Sequence, residues 1–129
     1  MSGRISIMVV SGSLERLQMA AMVASVGAVS GNDVQVFFSM NALPFLVRNG
    51  AKPAAAEGPV GELLISKHAP SFRDLLRQAV ELGDARIFPC SMAMDVLQLK
   101  QDDLEPYVSE ATGLTKFLDD AAESQVWSF

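Results

Sequence analysis

The chain holds one cysteine, Cys90, and one histidine, His68. Cys90 stands in the stretch "RIFPCSMAMDVL", Arg86 to Leu97, where a short apolar run, a proline and then residues able to open a helix follow one another. That pattern puts the sulfur at a strand-to-helix junction, the place where α/β proteins gather their chemistry. The thiolate is the nucleophilic form of cysteine, and the unpaired N–H groups and dipole of a helix N-terminus favour it. The competing reading is a small buried hydrophobe, because free cysteines are among the most buried residue types. Position alone does not separate the two. A Cys–His nucleophile pair needs its members in contact. His68 precedes the helix that leads into the Cys90 strand, so it is expected toward the opposite end of the sheet, as a loop histidine. With one Cys and one His there is no zinc cluster, and the scattered acidic residues show no metal spacing. The chemistry expected of Cys90 therefore uses neither metal nor organic cofactor.

The wall of such a site is expected from Ser91, Met92, Met94 and Asp95 on the cysteine side, and from Ser11, Gly12, Ser13, Met40 and Asn41 at the ends of the first two strands. Met92 and Met94 cannot share one helix face, so at most one packs inward while the other edges the sulfur. "SGSLER", after the first apolar run, offers glycine and helix N–H groups to an anion. It lacks both the dinucleotide fingerprint and the lysine of a phosphate-binding loop, and a plain tight turn is the simpler reading.

The elements that must carry these residues alternate. "ISIMVV" (Ile5 to Val10) is a mostly β-branched run, as in a central strand of a parallel sheet covered on both faces. Leu14 to Val29 reads as a buried helix of small and apolar residues, with Ser13 a candidate N-cap and Gly31 just past its end. "DVQVFFSM" (Asp33 to Met40) is a second strand, followed by a short helix, Ala42 to Arg48, capped by Asn41 with Pro44 near its first turn. Gly50 to Glu62, rich in Gly, Pro and Ala, reads as a loop. Ser71 to Gly83 has a cap, an apolar stripe at Phe72, Leu75, Leu76, Ala79 and Val80, and a terminal glycine, which makes a helix. "ARIF" is the strand before Pro89 and Cys90. Ser91 to Leu99 has helical spacing, "QDDLEPY" is a turn or short helix, Gly113 to Ser124 is a helix, and "QVWSF" closes as a strand. Alternating strands and helices predict a three-layer α/β sandwich around a mainly parallel sheet, in one domain spanning 1–129.

Composition removes whole classes of function. A net charge of -5 across 129 residues lacks the clustered Lys and Arg that a phosphate backbone demands, so no nucleic-acid partner is expected. The most apolar helical segment, Met19 to Val29, is too short for a bilayer, which takes about 20 apolar residues. The first residues lack the basic start and long apolar core of a secretory signal, and a lone cysteine makes no internal disulfide, so a cytoplasmic, soluble protein is expected. A hydrophobic content of 50% and a mean hydropathy of +0.26 are high for such a protein and point either to an unusually dry interior or to surface covered by a partner subunit, self-association being the first suspicion.

The chain resembles the DsrE/DsrF/DrsH-like family of small sulfur-relay proteins. The likeness runs through "ISIMVVSGSLERL", "VQVFFSM", "SFRDLLRQAVELGDARIFPCSMAMD" and "GLTKFLDDAAESQVWSF". Its most specific piece is "CSMAMD", Cys90 to Asp95, similar to a Cys-x-Met-x-Met-Asp signature of one branch. The resemblance implies a five-stranded parallel sheet with helices on both faces. It also implies a homo-oligomer, a trimer or larger, and a cysteine that carries sulfur as a persulfide or thiosulfonate between partner cysteines. The partners so implied are rhodanese-like or TusA-like carriers. Two features depart from the family: "MNALPFL" replaces an aromatic and glycine-rich segment, and there is no second cysteine.

Three readings follow. Cys90 accepts and passes on sulfane sulfur; or the chain is a small-ligand or anion-binding module, or a scaffold subunit, with an inert Cys90; or it is a peroxide-reducing thiol protein that borrows its resolving thiol. Val126, Trp127 and Phe129 of the last strand, with part of the first helix, are expected at a homo-oligomeric interface, against the alternative that Trp127 packs on Leu118 of its own subunit.

Overall fold

The computed structural model describes residues 3–48 and 53–129. The chain runs β1 (Arg4–Val9), α1 (Leu14–Val29), β2 (Asp33–Phe38), a 3-10 helix (Met40–Leu46), α2 (Pro59–Ser66), α3 (Phe72–Gly83), β3 (Arg86–Pro89), α4 (Ser91–Leu97), a 3-10 turn (Gln101–Asp103), α5 (Leu114–Asp120) and β4 (Gln125–Ser128). Among the described residues the sheet has four strands in the order β3-β2-β1-β4, and every strand pair is parallel. β1 and β2 are the central strands, as the β-branched run at Ile5 predicts.

The five-stranded sheet expected from the resemblance is not found among the described residues, for a local reason. Outside β3 the chain returns only as an isolated parallel bridge between Cys90 and Thr112. Ser109–Thr112 has no alternation of apolar residues to hold a ladder, and Gly113 ends it by starting α5.

Side-chain alternation assigns the two faces of the sheet. Ile5 and Val34 lie under Gly27 of α1, so their faces, with Ile7, Val36 and Ile87, meet α1. On the other face the Phe37 ring stacks on Phe117 of α5 at 5.0 Å. Gln35 Nε2 there donates to Ser6 Oγ at 2.9 Å and to the Phe117 carbonyl at 3.3 Å. β2 is therefore buried along its length after Asp33, which is why its sequence, apart from the hydrogen-bonded Gln35, is apolar on both faces.

α1 buries a ridge of small residues, Ala20, Ala21, Ala24, Gly27 and Ala28, which lets it lie close to both the sheet and α3. The Ser13 hydroxyl caps it, accepting from Arg16 N. α3 buries Phe72, Leu76 and Ala79, the core of the predicted stripe, with Ser71 as its cap and Asp84 turning the chain in the left-handed region at φ 55.

Several expected boundaries differ: β2 stops at Phe38 and α4 at Leu97, each two residues short of its expected end. The helix placed at Ala42 to Arg48 is a 3-10 helix starting at Met40, preceded by Ser39, so Asn41 lies within it instead of capping it. Pro44 inside this segment suits the tighter winding better than an α-helix. The loop placed at Gly50 to Glu62 already turns into α2 at Pro59, which sits at the first helical position and opens the run Val60, Leu63, Leu64 and Ile65. Gly50, Ala51 and Lys52 of that loop lie outside the described residues. α5 is shorter than Gly113 to Ser124 and gives way to a turn after Asp120.

Candidate functional site

Cys90 follows the last residue of β3 and is the N-cap residue of α4. On the inner side its N–H donates to the Phe38 carbonyl at 2.9 Å, extending the β2–β3 ladder by one step. On the outer side Thr112 N–H donates to the Pro89 carbonyl at 3.0 Å, and Ser91 N–H donates to the Thr112 carbonyl at 2.9 Å. The residue is thus held between two parallel neighbours, and its side chain continues the alternation onto the face of Phe88 and Phe37. It is 5% exposed, and no backbone N–H is hydrogen-bonded to the side chain.

The Ser91 N–H is therefore committed to Thr112 and is not available to an anionic sulfur, a role the helix N-terminus suggested for it. The two methionines divide as their spacing requires: Met94 is 6% exposed and Met92 54%. Ser91 and Asp95 are exposed on α4. Leu99 N–H and Gln98 N–H close the helix on the carbonyls of Met94 and Asp95, with Gln98 in the left-handed region at φ 56.

The other expected wall residues gather elsewhere. Ser11, Gly12, Ser13 and Asn41 line an open cavity of about 800 Å³, with Pro44, Phe45, Val47 and Glu57. Cys90 is not among its lining residues. Because β2 lies between β1 and β3, and adjacent strands are ~4.8 Å apart, the loops after β1 and β3 leave the sheet ~10 Å from one another. Met40 stands at the end of β2, between them, half exposed and in the left-handed region at φ 50. A non-glycine residue there is strained by about 1 kcal/mol.

Gly12 has a packing reason to be glycine: a Cβ at that position would stand 2.8 Å from the Asn41 carbonyl oxygen and 3.0 Å from the Phe45 ring. The two loops meet through that contact.

The same loop is closed largely by its own hydrogen bonds. Leu14 N–H donates to the Ala55 carbonyl at 2.9 Å, Arg16 N–H to Ser13 Oγ at 3.4 Å, and Ser13 N–H to Ser11 Oγ at 3.1 Å. The Glu15 carboxylate turns back to accept from Glu57 N and Gly58 N, both at 2.8 Å, so it serves as the side-chain cap that the α2 N-terminus lacks. Those N–H groups, Glu57 first, hold Glu15 below its ordinary value. The Ser13 hydroxyl, followed by the Arg16 guanidinium at 3.0 Å, does the same for Glu57. With the Ser13, Leu14 and Arg16 N–H groups bonded within the fold and two carboxylates beside it, "SGSLER" has the form of a tight turn.

His68 corrects a further expectation. α3 runs antiparallel to the strand that follows it, so residues before α3 lie at the carboxyl ends of the strands, the same end as Cys90. His68, at φ 54, lines a groove over the starts of α1 and α3 with Leu14, Gln18 and Phe72, on the opposite face from the Cys90 side chain. Among the described residues, no group of three or more His, Cys, Asp and Glu side chains could hold a metal ion. No helix among them is long and apolar enough to cross a membrane.

Two contributors escaped the sequence reading. Glu15 as the cap of α2 had a visible sign, an acid in the first turn of α1 ahead of Pro59. Thr112 had none, because its part is played by backbone atoms.

Among solved structures, the chain is similar to the ychN protein from E. coli, with 16% identity and a TM-score of 0.70, covering 100% of each chain. It is also similar to a protein of unknown function, MTH1491 from Methanobacterium thermoautotrophicum, with 12% identity and a TM-score of 0.63, covering 98% of this chain and 99% of that one. At these identities the likeness is one of fold. No curated protein matches the sequence. A sequence model of the DsrE/DsrF/DrsH-like family matches residues 54–129, the part that carries Cys90, α4, the Thr112 segment and β4, and the chain belongs to that family.

Proposed function

We propose that this protein is a sulfur carrier in which Cys90 accepts sulfane sulfur as a persulfide and passes it to another thiol. Family membership supports a sulfur-relay role in general terms. The observation that carries the specific reading is the placement of the chain's one cysteine at the carboxyl end of β3, where it opens α4. The Cys90 thiolate attacks the outer sulfur of a donor persulfide. An S–S bond forms to Cys90, the S–S bond of the donor breaks, and the donor leaves as a thiolate. An acceptor thiolate then repeats the step on Cys90 persulfide and releases the Cys90 thiolate. Sulfane sulfur moves without net oxidation, so no redox cofactor takes part. The donor and acceptor by resemblance are rhodanese-like or TusA-like proteins, the compartment is the cytoplasm, and residues 1–129 act as one domain, with α1 and α5 on opposite faces of the sheet forming its outer layers. Met92 and Met94 give the sulfur an apolar rim, and Met40 stands between it and the cavity at Ser11.

The test is intact mass after incubation with a persulfidated donor. A gain of one sulfur atom that disappears in Cys90→Ser is expected; no gain, or a gain that survives the substitution, refutes the reading.

A second reading has its own observation. Cys90 is buried, and a cavity of about 800 Å³ lies beside Ser11 and Asn41, as in a ligand-binding module with an inert cysteine. A native thiol that resists small electrophiles up to the point of unfolding decides for it.

Assembly belongs to the same proposal. Met19, Met22 and Val26 of α1 and Trp127 of the edge strand β4 are exposed and line an apolar groove of about 500 Å³ with Ile5 and Phe129. Trp127 pairs in register with Ile7, which puts it on the α1 face, away from Leu118 of α5. Such a patch supports a homo-oligomer, a trimer or larger by resemblance. Light scattering at micromolar concentration checks it: a 13.8 kDa particle is the refuting result.

A further inference from the structure

β3 is the last strand of the sheet, yet the cysteine at its end is buried. What covers its outer flank is the returning chain at Ser109–Gly113. That segment lies parallel to β3 and is fastened by three backbone hydrogen bonds: Ser109 N–H to the Ile87 carbonyl at 2.8 Å, Thr112 N–H to the Pro89 carbonyl, and Ser91 N–H to the Thr112 carbonyl. Gln101 Nε2 adds a side-chain bond to the Ser109 carbonyl at 2.9 Å. No side chain from Ser109 to Gly113 is buried, whereas Val108 before it and Phe117 in the first turn of α5 after it both are. The stretch is therefore pinned at its two ends by core residues and held between them by hydrogen bonds alone, the signature of a segment that opens without global unfolding.

We infer that residues 109–113 form a strap over Cys90, hinged at Val108 and at the start of α5, which swings away from β3 to admit the partner's sulfur. Its purpose rests on the sulfur-carrier reading; its opening does not. Release of Thr112 also frees the Ser91 N–H at the entrance of α4, so the event that uncovers the thiol returns a hydrogen-bond donor beside it. Thr112 is a positioning residue acting through its main chain.

The full-length protein tests this with a small aromatic disulfide that reacts with Cys90 and releases a coloured thiolate. Thr112→Pro removes the N–H donated to Pro89 and should raise the native reaction rate roughly five- to tenfold, the effect of one lost hydrogen bond. Gln101→Ala, which alters only the side-chain tie, should raise it about two- to fivefold. In the unsubstituted protein the rate should rise far less steeply with urea than the unfolded fraction does. The strap is refuted if both variants react at the parent rate, or if the parent rate follows global unfolding. Should Thr112→Pro fail to fold, Gln101→Ala and the urea dependence decide. Persulfide uptake is measured in parallel. Faster reaction with the disulfide but no uptake retains the strap and refutes the carrier; uptake in variants that react with the disulfide at the parent rate refutes the strap and retains the carrier.

Discussion

Gly83 closes α3 where that helix crosses α1, and replacing it with alanine sets two opposed effects against each other. A Cβ on Gly83 would lie 2.5 Å from Ala28 Cβ, 2.7 Å from the Ala28 carbonyl carbon and 2.9 Å from its oxygen. Carbon atoms in contact sit about 3.5–4.0 Å apart, so the two helices must separate there by roughly 1 Å. Two of the three atoms met are backbone and cannot rotate aside. Overpacking of this kind costs about 1–3 kcal/mol. In the other direction, alanine gains up to about 1 kcal/mol over glycine in helix propensity, and less at a helix end. Gly83 → Ala should therefore destabilise by about 1–2 kcal/mol. For a chain of 129 residues that lowers the Tm by roughly 3–8 °C. Urea and thermal denaturation followed by circular dichroism measure it. Adding Ala28→Gly removes the nearest contact but leaves the two backbone atoms, so the double variant should recover only part of the loss, with a coupling of at least about 0.5 kcal/mol. A Gly83→Ala protein as stable as the parent would show that α1 and α3 do not approach this closely, and the reasoning would fail.

Phe117→Ala should cost about 3–5 kcal/mol in urea denaturation, since a side chain 1% exposed and stacked on Phe37 leaves a cavity the sheet cannot close. Glu15 and Glu57 lie below their ordinary 4.5 in the fold, so their contribution is present above that value and lost as the pH falls through the lowered one. Glu15→Gln should flatten the loss of stability below pH 4.5, read from denaturation midpoints across an acid series. Burial, and secondarily the Glu105 charge, push Tyr107 from 10.0 up to about 12, so stability is full below pH 10 and falls as the pH rises toward 12. Tyr107→Phe should abolish that alkaline decline and cost nothing near neutrality, because the buried hydroxyl has no hydrogen-bond partner among the described residues.

The strands and α3 were legible because their signals are local. Ile5–Val10 and Val34–Phe38 are apolar runs, and Phe72, Leu76 and Ala79 recur at the helical period. The strand-to-helix junction at Cys90 and the division between Met92 and Met94 follow from the same periods. α2 was hidden because its proline and glycine, read as breakers, stand at its first positions and at a close contact: a Cβ on Gly61 would meet the Glu15 carboxyl at 2.6 Å. Asn41 imitates a cap, but the chain has already begun to wind at Met40. The side of the sheet on which His68 falls was available from connectivity, since a helix between parallel strands returns against them. The Thr112 bridge was not, because hydrogen bonds made by the main chain leave no mark in side-chain pattern.

The three loops at the carboxyl ends of β1, β2 and β3 differ in how they are held, and that difference gives Cys90 a direction. The β1 loop is fixed on every side: Val10 and Ser11 N–H groups donate to the Phe129 carbonyl, Leu14 N–H to Ala55, and Gly12 rests on Asn41. The end of β2 is fixed by the 3-10 helix that buries Ala42, Leu43 and Leu46. Cys90 shares this rigidity on its inner side through Phe38, and on its outer side has only a segment without a buried residue. A partner seeking the sulfur from the cavity side would have to displace the 3-10 helix and its three core residues, which at about 1.5–3 kcal/mol each for the leucines is the costlier route. Three hydrogen bonds worth about 0.5–1.5 kcal/mol apiece close the outer side. On the sulfur-carrier reading, the magnitudes therefore favour approach along the strapped edge of β3, past Thr112, and the proposed assembly surface at Trp127 lies at the opposite edge of the sheet.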